Sequence, residues 1–305
     1  MSVQPVFVSS GDLVADRRYR WALDYLDRGD AAASADILRQ VVEDAPGFAA
    51  AWFALATIRE RTGDRNGAIA AFVAARDADP EDRHGARLHL ARLGVGRATS
   101  AMAADFVRRL FDQHAPEFDE ALVGRLGYRG PELLLEAVQE LAPASMRFEA
   151  VLDLGCGTGL AGVAFKPYCV RLTGVDVSPG MIEQALGKSV YDRLAAAELM
   201  AFLAGEAAAD YDLVLASDVF VYVADLAPVC AAVASVLKPG GLFAFTVETH
   251  DDPGVRLQET LRYAHGAEHV RAAIEGAGLR VLKAQSVSTR TEKGVPVPGL
   301  LAVAG

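Results

Sequence analysis

Two patterns of hydrophobic and polar positions divide the chain. Residues 15–80 are rich in alanine and carry large apolar residues at helical spacing, with proline only at Pro46 and Pro80. From about residue 145, short apolar runs alternate with helical stretches; the runs are VLDLG, RLTGVDV, YDLVLAS and GLFAFTVE. This alternation is typical of a parallel sheet with crossover helices. The sequence therefore predicts an all-α first part followed by an α/β domain.

The helical part carries an internal repeat. Pro46 and Pro80 lie 34 residues apart, which is the period of tetratricopeptide repeats. Gly29-Asp30 and Gly63-Asp64 have the same spacing and predict the turns within each repeat. Large and small residues alternate at the expected positions in the second unit, which are Trp52, Leu55, Ala68, Phe72 and Ala75. The first unit matches more loosely, because Arg18 replaces its first aromatic residue.

The segment resembles a tetratricopeptide repeat. Residues 83–93 then predict a capping helix that covers the apolar face of the last repeat, before a linker at 93–97. We assign residues 1–97 to this domain. It either forms a groove for a peptide, a partner or a second copy of the chain, or acts only as a helical lid on the catalytic domain.

Composition limits the class of protein. At 305 residues the chain exceeds the usual size of one hydrophobic core, and 52% hydrophobic content is enough for two. We find no apolar run of about 18 residues and no signal-peptide pattern at the start, so we expect a soluble, cytoplasmic protein. The three cysteines, Cys156, Cys169 and Cys230, are too scattered for a disulfide framework or a thiolate zinc site, and we expect no metal.

The negative charge is uneven. Residues 1–100 carry 13 Arg and 14 acids, whereas the remainder carries 17 basic and 26 acidic residues. An enzyme of DNA or RNA normally needs a basic surface for the phosphate backbone. The charge therefore disfavours nucleic acid and favours a small molecule or a protein as substrate.

A glycine loop follows the first predicted strand, residues 151–154. The sequence GCGTG (155–159) predicts a turn into a helix at about 160–165, where glycines let the backbone approach a ligand. Residues 157–162, GTGLAG, also satisfy the dinucleotide-binding pattern G-x-G-x-x-G. The loop alone therefore does not identify the ligand.

The setting of the loop is more specific. Asp153 lies in the strand before it, Asp176 ends the second strand, and Met181 follows. Together VLDLGCGTG and GVDVSPGMI resemble the class I S-adenosylmethionine-dependent methyltransferases. The likeness continues through DYDLVLASDVFVYVADL and LKPGGLFAFTVE, and the whole resembles predicted bacterial methyltransferases with an N-terminal tetratricopeptide segment.

The end of the chain separates this fold from nicotinamide-binding domains. LRVLKAQSVST and VPGLLAVAG are extended runs joined by a turn through Lys293-Gly294. They predict an antiparallel pair at the end of the sheet. We therefore expect a Rossmann-like, seven-stranded, mostly parallel sheet with an antiparallel last strand over residues 145–305. Residues 98–144 resemble the leader of small-molecule methyltransferases, whose F-D-x-x-A-x-x-F/Y-D stretch folds over the cofactor.

The resemblance implies S-adenosylmethionine as the cofactor and S-adenosylhomocysteine as its product. The carboxylate of Asp176 is expected to accept both ribose hydroxyls, and a guanidinium fork at Arg129 suits the carboxylate of the cofactor. The expected cofactor-binding residues are Arg129, Asp153, Gly155, Cys156, Gly157, Gly159, Asp176, Val177, Met181, Asp218 and Val219. Asp192 and Glu198 remain alternatives for the acid near adenine.

Methyl transfer from a sulfonium needs an in-line approach and a dry pocket more than a catalytic base. Tyr222 falls beside the transferring methyl by the family pattern, and His265 is the candidate base if one exists. His265 and His269 can also share a helical face as a metal pair, but no third ligand is evident. The pattern favours a plain polar or capping histidine over both roles. Asp218 has the alternative role of a helix cap. Glu248, His250 and Arg290 are expected to shape the acceptor pocket or to be solvated strand ends.

The leading hypothesis is a methyltransferase acting on O, N or C of a small organic molecule. No Asp/Asn-Pro-Pro-Tyr run follows the fourth strand, where SDVFVY stands instead, so methylation of adenine or glutamine amino groups is not expected. The alternatives are a protein methyltransferase whose repeat recruits the substrate, a non-catalytic scaffold and, more weakly, an NAD-dependent dehydrogenase. We expect a protein partner or self-association through the repeat, and no nucleic acid or membrane partner.

Overall fold

The computed structural model describes residues 9–97, 102–141 and 147–305. The chain divides into two compact units, Met1–Phe106 and Val107–Gly305. The expected domain boundaries at 97/98 and 144/145 fall at or inside undescribed stretches, and the first eight residues, on which part of the signal-peptide argument depends, also lie outside the described residues.

The first unit is helical. Its helices are α1 (Leu13–Asp27), α2 (Ala31–Asp44), α3 (Ala49–Arg61), α4 (Arg65–Ala78) and α5 (Ala86–Arg92). Helices α1 and α2 form one antiparallel pair and α3 and α4 the next, which confirms the helical first part. Gly29 and Gly63 have φ of +86° and +85° at the two predicted turns. The carboxylates of Asp30 and Asp64 then accept backbone N–H bonds of 3.0 and 2.9 Å at the starts of α2 and α4.

The second unit is an α/β sheet with helices on both faces. Its strands are β1 (Phe148–Leu154), β2 (Cys169–Asp176), β3 (Arg193–Ala196), β4 (Tyr211–Ala216), β5 (Leu237–His250), β6 (Val255–Leu257), β7 (Tyr263–Gly266), β8 (Val281–Val287), β9 (Thr291–Glu292), β10 (Val295–Pro296) and β11 (Gly299–Ala304). Its helices are α6 (Ala104–His114, which begins in the first unit), α7 (Gly130–Leu141), α8 (Leu160–Phe165), α9 (Pro179–Gly187), α10 (Leu199–Gly205), α11 (Ala227–Val236) and α12 (Ala267–Gly276). A 3-10 turn at Ala115–Glu117 and a π-helical segment at Glu120–Arg125 follow α6.

The strand order is β3-β2-β1-β4-β5-β11-β8. Strands β1 to β5 run parallel, and β11 lies antiparallel between β5 and β8. The central strands are buried on both faces and separate two hydrophobic clusters, which explains their continuous apolar runs. The predicted mostly parallel sheet with an antiparallel last strand is confirmed. The order reverses between β1 and β4, and ligands bind at the carboxyl ends of strands at such a point.

An additional hairpin extends the sheet beyond the prediction. Strand β5 continues past the end of β4, and its residues Glu248 to His250 pair with Ala264 to Gly266 of β7, which in turn pairs with β6. His265 therefore lies in a strand, and His269 lies in α12. The prediction that these two histidines share a helical face is wrong, because the chain stays extended through His265 and turns into a helix only after Gly266.

Candidate cofactor and acceptor site

The glycine loop after β1 leaves open space above its backbone. Gly155, Gly157 and Gly159 have φ of +63°, +54° and +93°, a region that favours glycine. A Cβ built on Gly157 meets no atom within 4 Å, whereas one on Gly155 would lie 2.4 Å from a methyl carbon of Val219. The loop is thus held closely at its first glycine and is open to a ligand at its second.

Asp176 lies at the carboxyl end of β2 and faces this loop. Its Oδ2 accepts a 2.9 Å hydrogen bond from the Gly157 amide, and its Oδ1 accepts a 2.8 Å bond from the Ser178 amide. Burial raises the pKa of this carboxyl to about 6, since the two amide bonds offset only part of the desolvation. A carboxylate has about four acceptor positions, so two remain for ligand hydroxyls. The open loop and the spare acceptors fit the ribose of S-adenosylmethionine.

Asp153 was expected to bind the cofactor, but its carboxylate is hydrogen-bonded to Tyr191. Asp153 is 1% exposed, and its Oδ2 accepts a 2.6 Å hydrogen bond from the hydroxyl of Tyr191. Burial raises the pKa of Asp153 to about 7. The contacts of Asp153 therefore support the loop from below. Nothing in the sequence distinguishes Tyr191, which lies 38 residues away.

The residues expected near adenine follow β2 and β3. Met181 is fully buried in the first turn of α9, where its amide donates a 3.0 Å bond to the capping Ser178 hydroxyl. Val177 is half-buried beside it. Glu198 follows the carboxyl end of β3, whereas Asp192 precedes that strand and binds Lys166 at its other end. Only Glu198 stands on the edge of the sheet that carries the loop.

Cys156 is 6% exposed, and burial raises the pKa of its thiol well above the ordinary value. Its amide donates a 2.9 Å bond to the carbonyl of Val175. Because a thiol kept protonated is a poor nucleophile, this cysteine contributes backbone and shape to the loop.

The leader contacts both cofactor loops through two carboxylates. Asp112 of α6 accepts bonds of 2.6 Å from the Ser178 hydroxyl and 3.1 Å from the Gly180 amide. Asp119 binds the hydroxyl of Thr158 in the glycine loop and, at 2.6 Å, the ammonium of Lys188. Both acids belong to the F-D-x-x-A-x-x-F/Y-D stretch, so that motif already contained a signal for them.

The segment after β4 lies across the glycine loop. Asp218 has φ of +58°, and the next residue, Val219, covers Gly155. The Tyr222 ring packs edge-on against Phe111 of the leader at 5.2 Å between centroids. Burial raises the pKa of Tyr222 to about 12, so its hydroxyl stays protonated near neutrality.

Five charged side chains cluster at the carboxyl ends of β4 and β5. Arg290, 5% exposed, binds Asp218, Glu248 and Glu292, each through a different nitrogen. Arg262 binds Glu248 at 2.7 Å and also binds Glu292. Although burial opposes it, the three carboxylates raise the pKa of Arg290 above its ordinary value. Sequence reasoning named Asp218, Glu248 and Arg290 but missed Arg262 and Glu292.

His265 is completely buried next to this cluster. Its Nε2 lies 3.1 Å from the carbonyl oxygen of Phe220 and donates to it in the neutral tautomer. Burial lowers its pKa to about 4. The ring stacks on His269 at 5.6 Å between centroids, and Nδ1 has no described partner. The geometry thus attaches His265 to the segment that carries Tyr222.

Arg129 lies in the GYRG segment before α7. Its amide donates a 2.8 Å bond to the carbonyl of Thr289, and the adjacent Tyr128 hydroxyl lies 2.6 Å from that of Ser217 at the end of β4. The Arg129 side chain is exposed. These contacts hold the GYRG segment beside the end of β4.

His250 is half-buried at the end of β5, and neither of its ring nitrogens has a hydrogen-bond partner among the described residues. Within the described ranges, no group of three or more His, Cys, Asp or Glu side chains is arranged to hold a metal ion.

Of the helices in those ranges, none combines the length and the apolar character that a bilayer crossing requires.

Comparison with known proteins gives two domain matches. Residues 152–243 match the family described as methyltransferase domain, and residues 25–93 match tetratricopeptide repeat. Human methyltransferase-like protein 27 is 31% identical over 172 residues, covering 55% of this chain and 66% of that protein. The ubiquinone biosynthesis O-methyltransferase of Bordetella avium is 34% identical over 120 residues, covering 37% of this chain and 48% of the relative. The chain thus spans about half to two thirds of the length of these relatives.

A solved structure supports the fold. The cyclase SpnF superimposes with a TM-score of 0.53 at 18% identity, covering 65% of this chain and 94% of that one. At this identity the likeness concerns the fold alone. The domain matches and the sequence relatives confirm the resemblance first seen in the sequence. The chain belongs to the S-adenosylmethionine-dependent methyltransferases through its second unit, and its first unit carries tetratricopeptide repeats.

Proposed function

We propose that this protein transfers a methyl group from S-adenosylmethionine to a small organic molecule by direct in-line displacement. The observation that carries the proposal is the pairing of Asp176 with the open glycine loop, because the carboxylate keeps two acceptor positions beside free space. The cofactor supplies an electrophilic methyl group on a sulfonium. The acceptor needs only a lone pair in line with the bond that breaks.

Each remaining part of the site has a role in this proposal. Asp176 and Glu198 orient the ribose and adenine portions, and Arg129 binds the carboxylate of the cofactor. Asp112 and Asp119 hold the leader over both cofactor loops and so exclude water. Tyr222 and Phe111 form an aromatic wall beside the position of the methyl group, and the acceptor lies between this wall and the charge cluster.

Relatives favour a small-molecule acceptor. The Bordetella avium relative is named for ubiquinone biosynthesis and for methyl transfer to oxygen. The net negative charge of residues 101–305 favours the same class over nucleic acid. Cytoplasmic location remains a prediction from the sequence.

The repeats support a second candidate, a protein acceptor recruited by the first unit. A cavity of about 350 Å³ opens between α2, α3 and α4, lined by Arg39, Val42, Glu43, Trp52, Leu55, Arg59, Ala70 and Ala71. Its mixed charges and its half-buried tryptophan suit a peptide. A scaffold without activity is disfavoured by the intact loop, and a dehydrogenase is disfavoured by the antiparallel β11.

Titration calorimetry with S-adenosylmethionine tests the proposal. We expect wild type to bind, Asp176→Ala to lose most of the affinity, and the exposed control Glu183→Ala on α9 to bind as wild type does. Equal binding by Asp176→Ala, or none by wild type, would overturn the proposal. Methyl-labelled cofactor is then offered to metabolite and protein fractions of a cell extract. Label found only on protein, and lost when residues 1–97 are deleted, would favour the second candidate.

A further inference from the structure

The charge cluster borders the place where the proposed function puts the acceptor. Asp218 adjoins Val219, which covers the glycine loop, and Tyr222 lies three residues further along the same segment. The Asp218 carboxylate is fixed further by the hydroxyls of Thr289, at 3.1 and 3.2 Å, and Thr246, at 3.3 Å. The Gln258 amide donates a 2.9 Å bond to Glu248. The positions of these charges are therefore set before any ligand arrives.

Both arginines of the cluster form ion pairs with acidic side chains of this chain. All three nitrogens of the Arg290 guanidinium face carboxylates of this chain. Arg262 forms ion pairs with Glu248 and Glu292, although its Nε, which lies nearest Glu248, makes no hydrogen bond among the described residues. An incoming carboxylate meets no free edge of Arg290. Three carboxylates against two guanidiniums give the cluster a formal charge of −1. The side chains of Arg290 and Glu248 are 5% and 4% exposed, whereas that of Glu292 is 31% exposed, so water screens the inner part of the cluster poorly.

This charge distinguishes two kinds of methyl acceptor. When an uncharged nucleophile attacks, the positive charge of the sulfonium moves to the acceptor and remains in the site. When an anion attacks, the positive charge is neutralised and its attraction to the cluster is lost. Fixed charges favour the reaction whose charge they complement in the transition state. Building on the proposed function, we infer that the cluster of Asp218, Glu248, Arg262, Arg290 and Glu292 selects an uncharged hydroxyl or amino group as acceptor and rejects a carboxylate.

The transfer balances without a further reactant. A lone pair of the acceptor nitrogen or oxygen forms the new bond to carbon, and the electron pair of the sulfur–carbon bond returns to sulfur, which leaves as a neutral thioether. The acceptor carries the positive charge until it loses a proton to water. A methylated amine can keep that proton.

Binding measurements test the charge of the cluster without turnover. S-adenosylmethionine carries the sulfonium charge and S-adenosylhomocysteine does not, so the ratio of their dissociation constants reports the local field. We expect Glu292→Gln to weaken the preference for the charged ligand several-fold and Arg262→Gln to strengthen it several-fold. The exposed control Glu268→Gln on α12 should leave the ratio unchanged. Because the two variants shift the ratio in opposite directions, loss of structure cannot mimic the result. Ratios that do not move, or that move together, overturn the inference.

Product chemistry tests the same inference independently. Label transferred from methyl-labelled cofactor to a metabolite extract is treated with alkali, which releases volatile methanol from carboxylate esters but not from ethers or methylamines. We expect alkali-stable label. Volatile label would overturn the inference while leaving the proposed methyltransferase intact. If the extract takes up no label and wild type does not bind S-adenosylmethionine, the proposed function fails and the inference with it.

Discussion

The hydroxyl of Tyr191 donates a 2.6 Å hydrogen bond to the carboxylate of Asp153 beneath the glycine loop. Its ring fills the space left by Gly162 and Gly174, where an added Cβ would lie 2.4 and 2.8 Å from ring atoms. The phenol therefore links α8, β2 and β1 under the cofactor site. A buried acid with one strong donor depends on that donor.

We expect Tyr191→Phe to destabilise the protein by about 1–3 kcal/mol, the usual cost of leaving a buried polar group unpaired. The pKa of Asp153, already raised to about 7, would rise further without the bond. Since the folded state then holds its proton to higher pH, stability declines as pH increases. Urea unfolding should show a larger deficit at pH 8 than at pH 5.5.

Asp153→Asn provides the control for this pair. Asparagine does not titrate, so the pH dependence of the Tyr191→Phe deficit should disappear in the Asp153→Asn background. A deficit that is equal at both pH values in the wild-type background would show that the lost hydroxyl matters only for packing.

Cofactor affinity should depend on the ionisation of Asp176. Its pKa of about 6 means that the carboxyl takes up a proton as the pH falls below 6, and the protonated group is a weaker acceptor for ribose hydroxyls. We expect the dissociation constant of S-adenosylmethionine to increase by up to about tenfold per pH unit below 6. Calorimetry between pH 4.5 and 7.5 measures this change.

Asp176→Asn separates this effect from the ionisation of the ligand itself. The variant should bind more weakly at pH 7.5 and show a flatter profile below pH 6. Parallel profiles for the two proteins would mean that another group controls the pH dependence.

The sequence revealed most of the sheet because β1, β2 and β4 are buried on both faces and form continuous apolar runs. Strand β3 was harder to locate, since Arg193–Ala196 lies at the edge and is only half-buried. Strands β6 and β7 are short, and the helical spacing of His265 and His269 concealed them.

The cofactor loop was predictable because its residues lie close together in the sequence. Gly155, Gly157 and Asp176 lie within 22 residues and carry a local motif. The contacts of the charge cluster join residues up to 72 positions apart, with no local pattern that pairs Arg290 with Asp218. Such pairings depend on the closure of the sheet, and a linear sequence does not display them.

The leader should control how long the cofactor stays bound. Asp119 joins α6 and its following turns to Thr158 and Lys188, so we expect Asp119→Ala to increase the dissociation rate of S-adenosylmethionine about 5- to 30-fold, as loss of 1–2 kcal/mol predicts. Stopped-flow fluorescence measures this rate. Glu117→Ala, an exposed acid two residues away, should dissociate at the wild-type rate. If Asp119→Ala also releases the cofactor at the wild-type rate, the leader does not retain the bound cofactor.

His265 should act by position and not as a proton acceptor. Its Nε2 bond holds the Phe220 carbonyl next to Tyr222, and with a pKa of about 4 the ring is already neutral at pH 5.5. We therefore expect that ionisation of this histidine does not change the turnover rate between pH 5.5 and 8.5. Glutamine can donate from a similar position, so His265→Gln should keep most of the turnover rate. His265→Leu should lose about 5-fold, because the Phe220 carbonyl keeps its 3.1 Å bond from the Val223 amide and loses only its second donor, at a cost of about 1 kcal/mol. A general base would instead give equal losses in both variants and an acidic limb near the ordinary pKa of histidine.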